Sequence, residues 1–168
     1  QYPDSKSDLF AMFMERTLAL AVKRGMMAMI NMQSWMFLSS YEKLRGKLLS
    51  DATILSMAHL GERGFDTIGG AVVSTTAFVV KVGIHQDAVG VFVRLVSGTS
   101  EKEKESLYLE ANALNTSGLR FTLRLSDLEK IPGKPIAYWL PKKVISLFEK
   151  CAKMSDVAVA RQGLSTSD

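Results

Sequence analysis

Residues 23–49 constrain the fold of this chain more than any other stretch. Lys23-Arg24-Gly25 leads into an apolar run from Met26 to Met32, then Gln33-Ser34-Trp35-Met36-Phe37-Leu38, then Ser39-Ser40-Tyr41-Glu42 and Leu44, Leu48 and Leu49. Gly25 can take the left-handed conformation that ends a helix, and Lys23 and Arg24 suit the negative end of its dipole. The run that follows is short, nearly all apolar and without period-two alternation, as in a strand covered on both faces. Ser39 with Glu42 three residues on reads as a capping box that opens a new helix. Helix, buried strand and helix joined by short links predict a doubly wound α/β sheet.

The 168 residues suffice for one domain with its own core, and 47% hydrophobic with 23% charged residues is the balance of a globular chain rather than a disordered one. A net charge of +4 suits a polyanion partner without singling one out. The single cysteine, Cys151, excludes an internal disulfide framework and fits a reducing, cytoplasmic compartment. Two histidines and one cysteine cannot close a zinc site without several carboxylates, so no metal is expected. The most apolar stretch, 26–32, is broken by Asn31 and far too short for a membrane span, and no secretory leader opens the chain. A start at Gln1 and a polar finish at 163–168 predict a piece of a longer protein.

Ser7 or Asp8 can cap a helix over 8–24, whose Phe10, Phe13, Met14, Thr17, Leu18 and Ala21 form one apolar stripe. Residues 53–60 are a second strand, 61–70 a glycine-rich loop carrying Phe65, and 71–82 a β-branched third strand. The short link 83–87 predicts a hairpin that makes the third strand and a fourth, 88–96, antiparallel neighbours. Ser100 and Glu103 form a second capping box for a charged helix, 101–112, with a solvated polar face. Residues 119–125 alternate as a half-exposed strand. Ser126 and Glu129 cap a short helical turn, 136–139 is extended, and Pro141 opens a helix to about residue 153.

The sequence marks of common enzymes are missing. There is no Gly-x-Ser-x-Gly elbow, no Gly-x-Gly-x-x-Gly and no phosphate-binding loop, and the glycines of 61–70 lead into a strand rather than a helix. His59, inside a strand pattern, reads as a hydrogen-bonded structural histidine; His85 reads as an exposed turn residue, and nothing around Cys151 activates a thiolate. Two features remain. Phe65 stands alone in a glycine loop, either folded back onto the sheet or offering a stacking surface to a ring or base. Gln33, Ser34 and Trp35 lie at the carboxyl end of the first strand, the edge where open α/β sheets bind ligands, although Trp35 equally suits ordinary packing.

Taken in order, Ser7-Asp8-Leu9-Phe10-Ala11-Met12-Phe13-Met14-Glu15-Arg16, Gly25-Met26-Met27-Ala28-Met29-Ile30, Ser34-Trp35-Met36-Phe37-Leu38, Leu44-Arg45, His59-Leu60-Gly61-Glu62-Arg63-Gly64-Phe65-Asp66 and Thr75-Thr76-Ala77-Phe78-Val79-Val80 resemble the gamma-class adenine-specific DNA methyltransferases. The likeness is nearest to the PglX-type enzymes of phage-defence (BREX) systems. It runs through 2–82, thins toward 96 and returns weakly over 131–168.

The resemblance implies a fold: the C-terminal half of a Rossmann-like class I methyltransferase sheet over 1–96, with the strand at 71–82 inserted antiparallel. A small α+β extension over 97–153 and a linker at 154–168 toward a target-recognition region would follow. It also implies transfer of a methyl group from S-adenosylmethionine to N6 of an adenine flipped out of double-stranded DNA. Phe65 would pack against the flipped base, Asp8, Leu9 and Phe10 would lie near the cofactor pocket, and Gln33, Ser34 and Trp35 would line the cleft. The family's Asn-Pro-Pro-Tyr/Phe and glycine-bearing donor motif do not occur in these residues, so no catalytic residue is assigned and the chain alone should be inactive. The family's proline before the Ser-Trp position is replaced by Met32-Gln33, and the helix at 101–112 has no counterpart there. The strand at 25–33 would present an open edge, through which the chain should self-associate. The alternative is a non-catalytic, basic α/β module that binds nucleic acid or a partner protein; loss of methylation on Phe65→Ala would separate the two.

Overall fold

The computed structural model describes residues 5–6, 8–67, 73–83, 88–113 and 118–159. In chain order the elements are α1 (Leu9–Leu20), β1 (Met26–Met32), two 3-10 turns (Gln33–Met36 and Ser39–Tyr41), α2 (Glu42–Asp51), β2 (Ala52–Gly61), β3 (Thr75–Val82) and β4 (Val89–Arg94). Then follow α3 (Glu101–Ala113), β5 (Arg120–Arg124), α4 (Leu125–Glu129), α5 (Lys142–Lys150) and α6 (Met154–Val157).

The strands form one mixed five-stranded sheet in the order β1-β3-β2-β4-β5. β3 is antiparallel to both β1 and β2, whereas β2 and β4 are parallel, so β1, β2 and β4 point the same way. The third strand is inserted antiparallel, as expected, and it lies between the first two. The hairpin is not: β3 and β4 are separated by β2, because β3 has both its edges filled by β1 and β2 and the chain must cross β2 to find a free one. Residues 84–87, including His85, lie outside the described residues.

One face of the sheet carries the main core. Met29, Phe78, Met57, Phe92 and Phe121 align in one row across all five strands. They pack with Trp35, Met36, Leu44, Leu48, Ile136 and Tyr138, all essentially buried. On the other face α3 covers the β4 side, with Ala111 and Leu107 packed among Val93, Leu95 and, from β2, Ala58 and Leu60.

Several local expectations give way to tertiary structure. β1 is not covered on both faces. It alternates, with Met26 and Ile30 exposed and Met27 and Asn31 buried, because it is an edge strand. Arg24, not Gly25, takes the positive φ (65°) after α1; a Cβ on Gly25 would lie 2.8 Å from the Val22 carbonyl oxygen, so glycine serves close approach there. Ser39 begins a 3-10 turn and Tyr41 is the N-cap of α2, so that capping box does not form. At α3 the Glu103 carboxylate accepts from Thr99 N–H and its hydroxyl, while Glu103 N–H donates to Ser100 Oγ. Ser126 provides no cap, since Arg124 is the N-cap of α4, and residues 138–139 turn rather than extend. The face of α3 is not plain solvent either: Lys104 is buried.

Two buried cations tie distant segments together. The Arg45 guanidinium on α2 donates to the carbonyls of Gly133, Lys134, Trp35 and Leu38. The Lys104 ammonium donates to those of Leu60, Leu95 and Gly98. Burial lowers the pKa of both groups.

Candidate functional site

The apolar sheet turns polar in its last row. Asn31 of β1 faces Thr76 of β3, Thr76 faces His59 of β2, and His59 faces Arg94 of β4. One polar side chain per strand thus crosses the core side of the sheet at the carboxyl ends of the three like-directed strands, one row beyond Met29, Phe78, Met57 and Phe92. This is the edge at which open α/β sheets hold ligands. Asn31 Nδ2 and Arg94 Nε are buried there without a hydrogen-bond partner among the described residues. A stranded buried donor costs roughly 1–3 kcal/mol, so this edge gives up stability to keep donors available.

His59 organises the row. Its Nε2 lies 2.6 Å from Gln33 Oε1 and its Nδ1 2.9 Å from the Tyr138 hydroxyl oxygen. A carboxamide oxygen can only accept, so Nε2 carries the proton and Tyr138 O–H donates to Nδ1. Burial, with help from the nearby charges of Arg94 and Lys104, lowers the His59 pKa to about 4, and the ring is neutral at pH 7. Burial raises the Tyr138 pKa, against the pull of Arg94, and keeps its hydroxyl protonated. The structural histidine expected from the sequence is therefore present, and it joins β2 to the 3-10 turn after β1 and to the segment before α5.

A cleft of about 390 Å³ opens beside it, lined among others by Gln33, His59, Glu62 and Arg94. Phe37 and Trp139 form its apolar wall, their ring centres 5.6 Å apart, and Trp139 stacks on His59 at 6.2 Å. The Arg94 guanidinium carbon sits 5.5 Å from the centre of the Trp139 ring. Among the described residues no carboxylate pairs with Arg94. A planar cation on an indole, facing a cleft, is suited to a phosphate or to the edge of a base.

The sequence-predicted residues divide. Gln33 lines the cleft. Ser34 is half-buried in the 3-10 turn, where its carbonyl accepts from Phe37 and Leu38 N–H. Trp35 does not line the cleft: it is fully buried, donates from Nε1 to Asn31 Oδ1 at 3.1 Å and packs on Phe78 at 5.1 Å. Asp8 and Leu9 are exposed at the first turn of α1, and Phe10 rests on Tyr41, beyond the carboxyl end of β1. Phe65 is half-buried in the loop leaving β2 at the same edge, and no ring among the described residues packs on it.

Arg94, Trp139, Phe37 and Tyr138 escape a reading of the sequence. The available signal was Asn31, His59 and Arg94, each a lone polar residue near the end of an apolar strand; their alignment requires the register. The sequence has no Gly-x-Gly-x-x-Gly turn between a strand and a helix.

Residues 1–65 match the family described as Eco57I restriction-modification methylase. The chain is 44% identical over 168 residues to the adenine-specific methyltransferase PglX of Lacticaseibacillus casei (strain Zhang), covering 99% of this chain and 14% of that protein. It is 47% identical over 167 residues to the adenine-specific methyltransferase BrxX of Escherichia coli O9:H4 (strain HS), covering 99% of this chain and 13% of that protein. The chain thus spans 13–14% of the length of these curated relatives and resembles one segment of each from end to end. Its fold is that of a modification subunit assigned to a type I restriction enzyme of Vibrio vulnificus YJ016, with a TM-score of 0.55 at 11% identity over 74% of this chain and 29% of that one.

Proposed function

We propose that this chain, like the segment of the adenine-specific methyltransferases it resembles, forms one wall of the catalytic cleft of a DNA methyltransferase acting on N6 of adenine. The observation that carries the reading is the polar row Asn31–Thr76–His59–Arg94, with its unpartnered donors, at the carboxyl edge of a sheet of this ancestry.

S-adenosylmethionine would supply the methyl group, held largely by the rest of a protein of the relatives' length, since the family's glycine-bearing donor motif does not occur in this sequence, with Asp8 to Phe10 near its pocket. What these residues would do is bind and orient. Adenine N6 is out of reach in the stacked duplex, so the base must leave it. Phe65, on which no ring among the described residues packs, would receive one face of the extruded base. Arg94 on Trp139 would meet the adjoining phosphodiester, and neutral His59 would hold Gln33 toward the cleft. The +4 charge suits a DNA partner.

Stacking of a base on an aromatic is worth about 1–3 kcal/mol, so Phe65→Ala in the full-length protein should lower methylation of duplex DNA roughly 5–150-fold with folding unchanged, and Phe65→Trp should retain it. Equal activity of wild type and Phe65→Ala would remove Phe65 from the site.

A further inference from the structure

The segment that carries Phe65, residues 61–66, is held on either side by one turn of α3. At its start, Lys104 Nζ donates to the Leu60 carbonyl at 2.7 Å, the last residue before the loop turns at Gly61. Just after Phe65 the contact is reciprocal: Asp66 N–H donates to Glu101 Oε1 at 2.7 Å, and Glu101 N–H donates to Asp66 Oδ1 at 3.1 Å. Glu101 and Lys104 are three residues apart and so share a face of the helix.

The Lys104 grip is buried, while the Asp66–Glu101 pair lies at the surface. Lys104 is 3% exposed, and its stem crosses Gly98 so closely that a Cβ there would lie 2.8 Å from Lys104 Cγ. Between the grips the loop has little slack: Gly61 and Arg63 hold positive φ, and a Cβ on Gly64 would meet Thr75 Oγ1 at 2.7 Å. Phe65 stands immediately before Asp66, so the reciprocal pair fixes the backbone next to the ring.

We infer that the first turn of α3 is a latch that sets the position of Phe65, which makes Glu101 and Lys104 positioning residues for base stacking although neither touches the base. The inference rests on the stacking reading of Phe65 given above. It gives α3 a role that its charged sequence does not suggest. A ring held by a flexible loop would lose ordering entropy at each encounter with the base; a latched loop has already lost it.

The test uses the full-length protein and duplex DNA with 2-aminopurine at the target adenine, whose fluorescence rises when the base is extruded. Glu101→Ala should lower kcat/KM for methylation of unmodified duplex about tenfold, as loss of one charge-assisted hydrogen bond implies. It should also change the 2-aminopurine signal and speed hydrogen exchange at the Asp66 amide. Glu101→Gln keeps the acceptor oxygen and should restore most of the activity. Asp66→Ala, which breaks the pair from the loop side, should reproduce the loss. In a Phe65→Ala background, Glu101→Ala should add almost nothing, because residues acting through one another are not additive. Unchanged Asp66 exchange in Glu101→Ala overturns the latch itself. Equal activity losses with and without Phe65 overturn its action through that ring. A silent Phe65→Ala overturns the stacking reading and the positioning role with it, while the exchange measurement still reports on the latch.

Discussion

His59 is neutral because of where the register puts it: in the last row of the sheet, near two cations and between a carboxamide and a phenol. The pH dependence follows from its depressed pKa. Between about 4 and the ordinary value of 6.5 the unfolded chain binds a proton that the folded chain refuses, so stability rises with pH through that window and is lost as pH falls. The full gap corresponds to about 3 kcal/mol. Urea unfolding at pH 7 and pH 4.5 should show wild type losing roughly 2 kcal/mol more than His59→Gln; equal losses would mean that His59 titrates normally. At this scale the sequence was informative about His59, whose strand setting marked it as structural, and silent about Lys104 and Arg45. A histidine in an apolar strand betrays its burial locally. Lys104 and Arg45 look like surface cations, since the carbonyls that hold them come from as far as 44 and 89 residues away.

Arg45 links the residue scale to that of elements. It belongs to α2 but holds the turn after β1 and the segment at 133–134 in one hydrogen-bonded cluster, bringing Ile136 to Tyr138 onto the core side of the sheet. Arg45→Ala would strand several buried acceptors at roughly 1–3 kcal/mol each, and a loss of about 3–5 kcal/mol in urea unfolding is expected after partial relaxation. Arg45→Lys should recover little, because one ammonium cannot reach both Gly133 and Trp35 as the planar fork does. Full rescue by lysine would show that charge alone matters there. Elements were legible where a local signal marked them: β1 and β2 as apolar runs, β5 by its alternation and α3 by its capping box each stand within a few residues of their expected places. The pairing of β3 with β4 was not, because a short link argues for adjacency only while both edges are free. The capping boxes at Ser39 and Ser126 failed for a related reason; each serine was drawn into the preceding turn or the helix itself by the packing of its neighbours.

Over the whole molecule the two edges of the sheet differ in how they are protected. β5 is five residues long and carries Arg120, Thr122 and Arg124, charged and short as natural edges are. β1 is seven residues long, with Met26 and Ile30 more than half exposed, and among the described residues it pairs with β3 alone. An apolar edge with free backbone donors and acceptors is a template for another strand. The 168-residue chain should therefore self-associate through β1, with the mean mass by light scattering rising across a concentration series. Ile30→Lys places a charge on that edge without touching the core, and should return the chain to its monomer mass while its unfolding curve stays in place. If Ile30→Lys associates as wild type does, the contact lies elsewhere, and a wild-type chain that stays monomeric at high concentration would show that this edge is closed to pairing. In a protein of the relatives' length the same edge would be satisfied by a neighbouring strand, so Ile30→Lys there should cost stability instead of association. The opposite signs expected in the two settings separate an edge built for an intramolecular strand from one that is merely exposed.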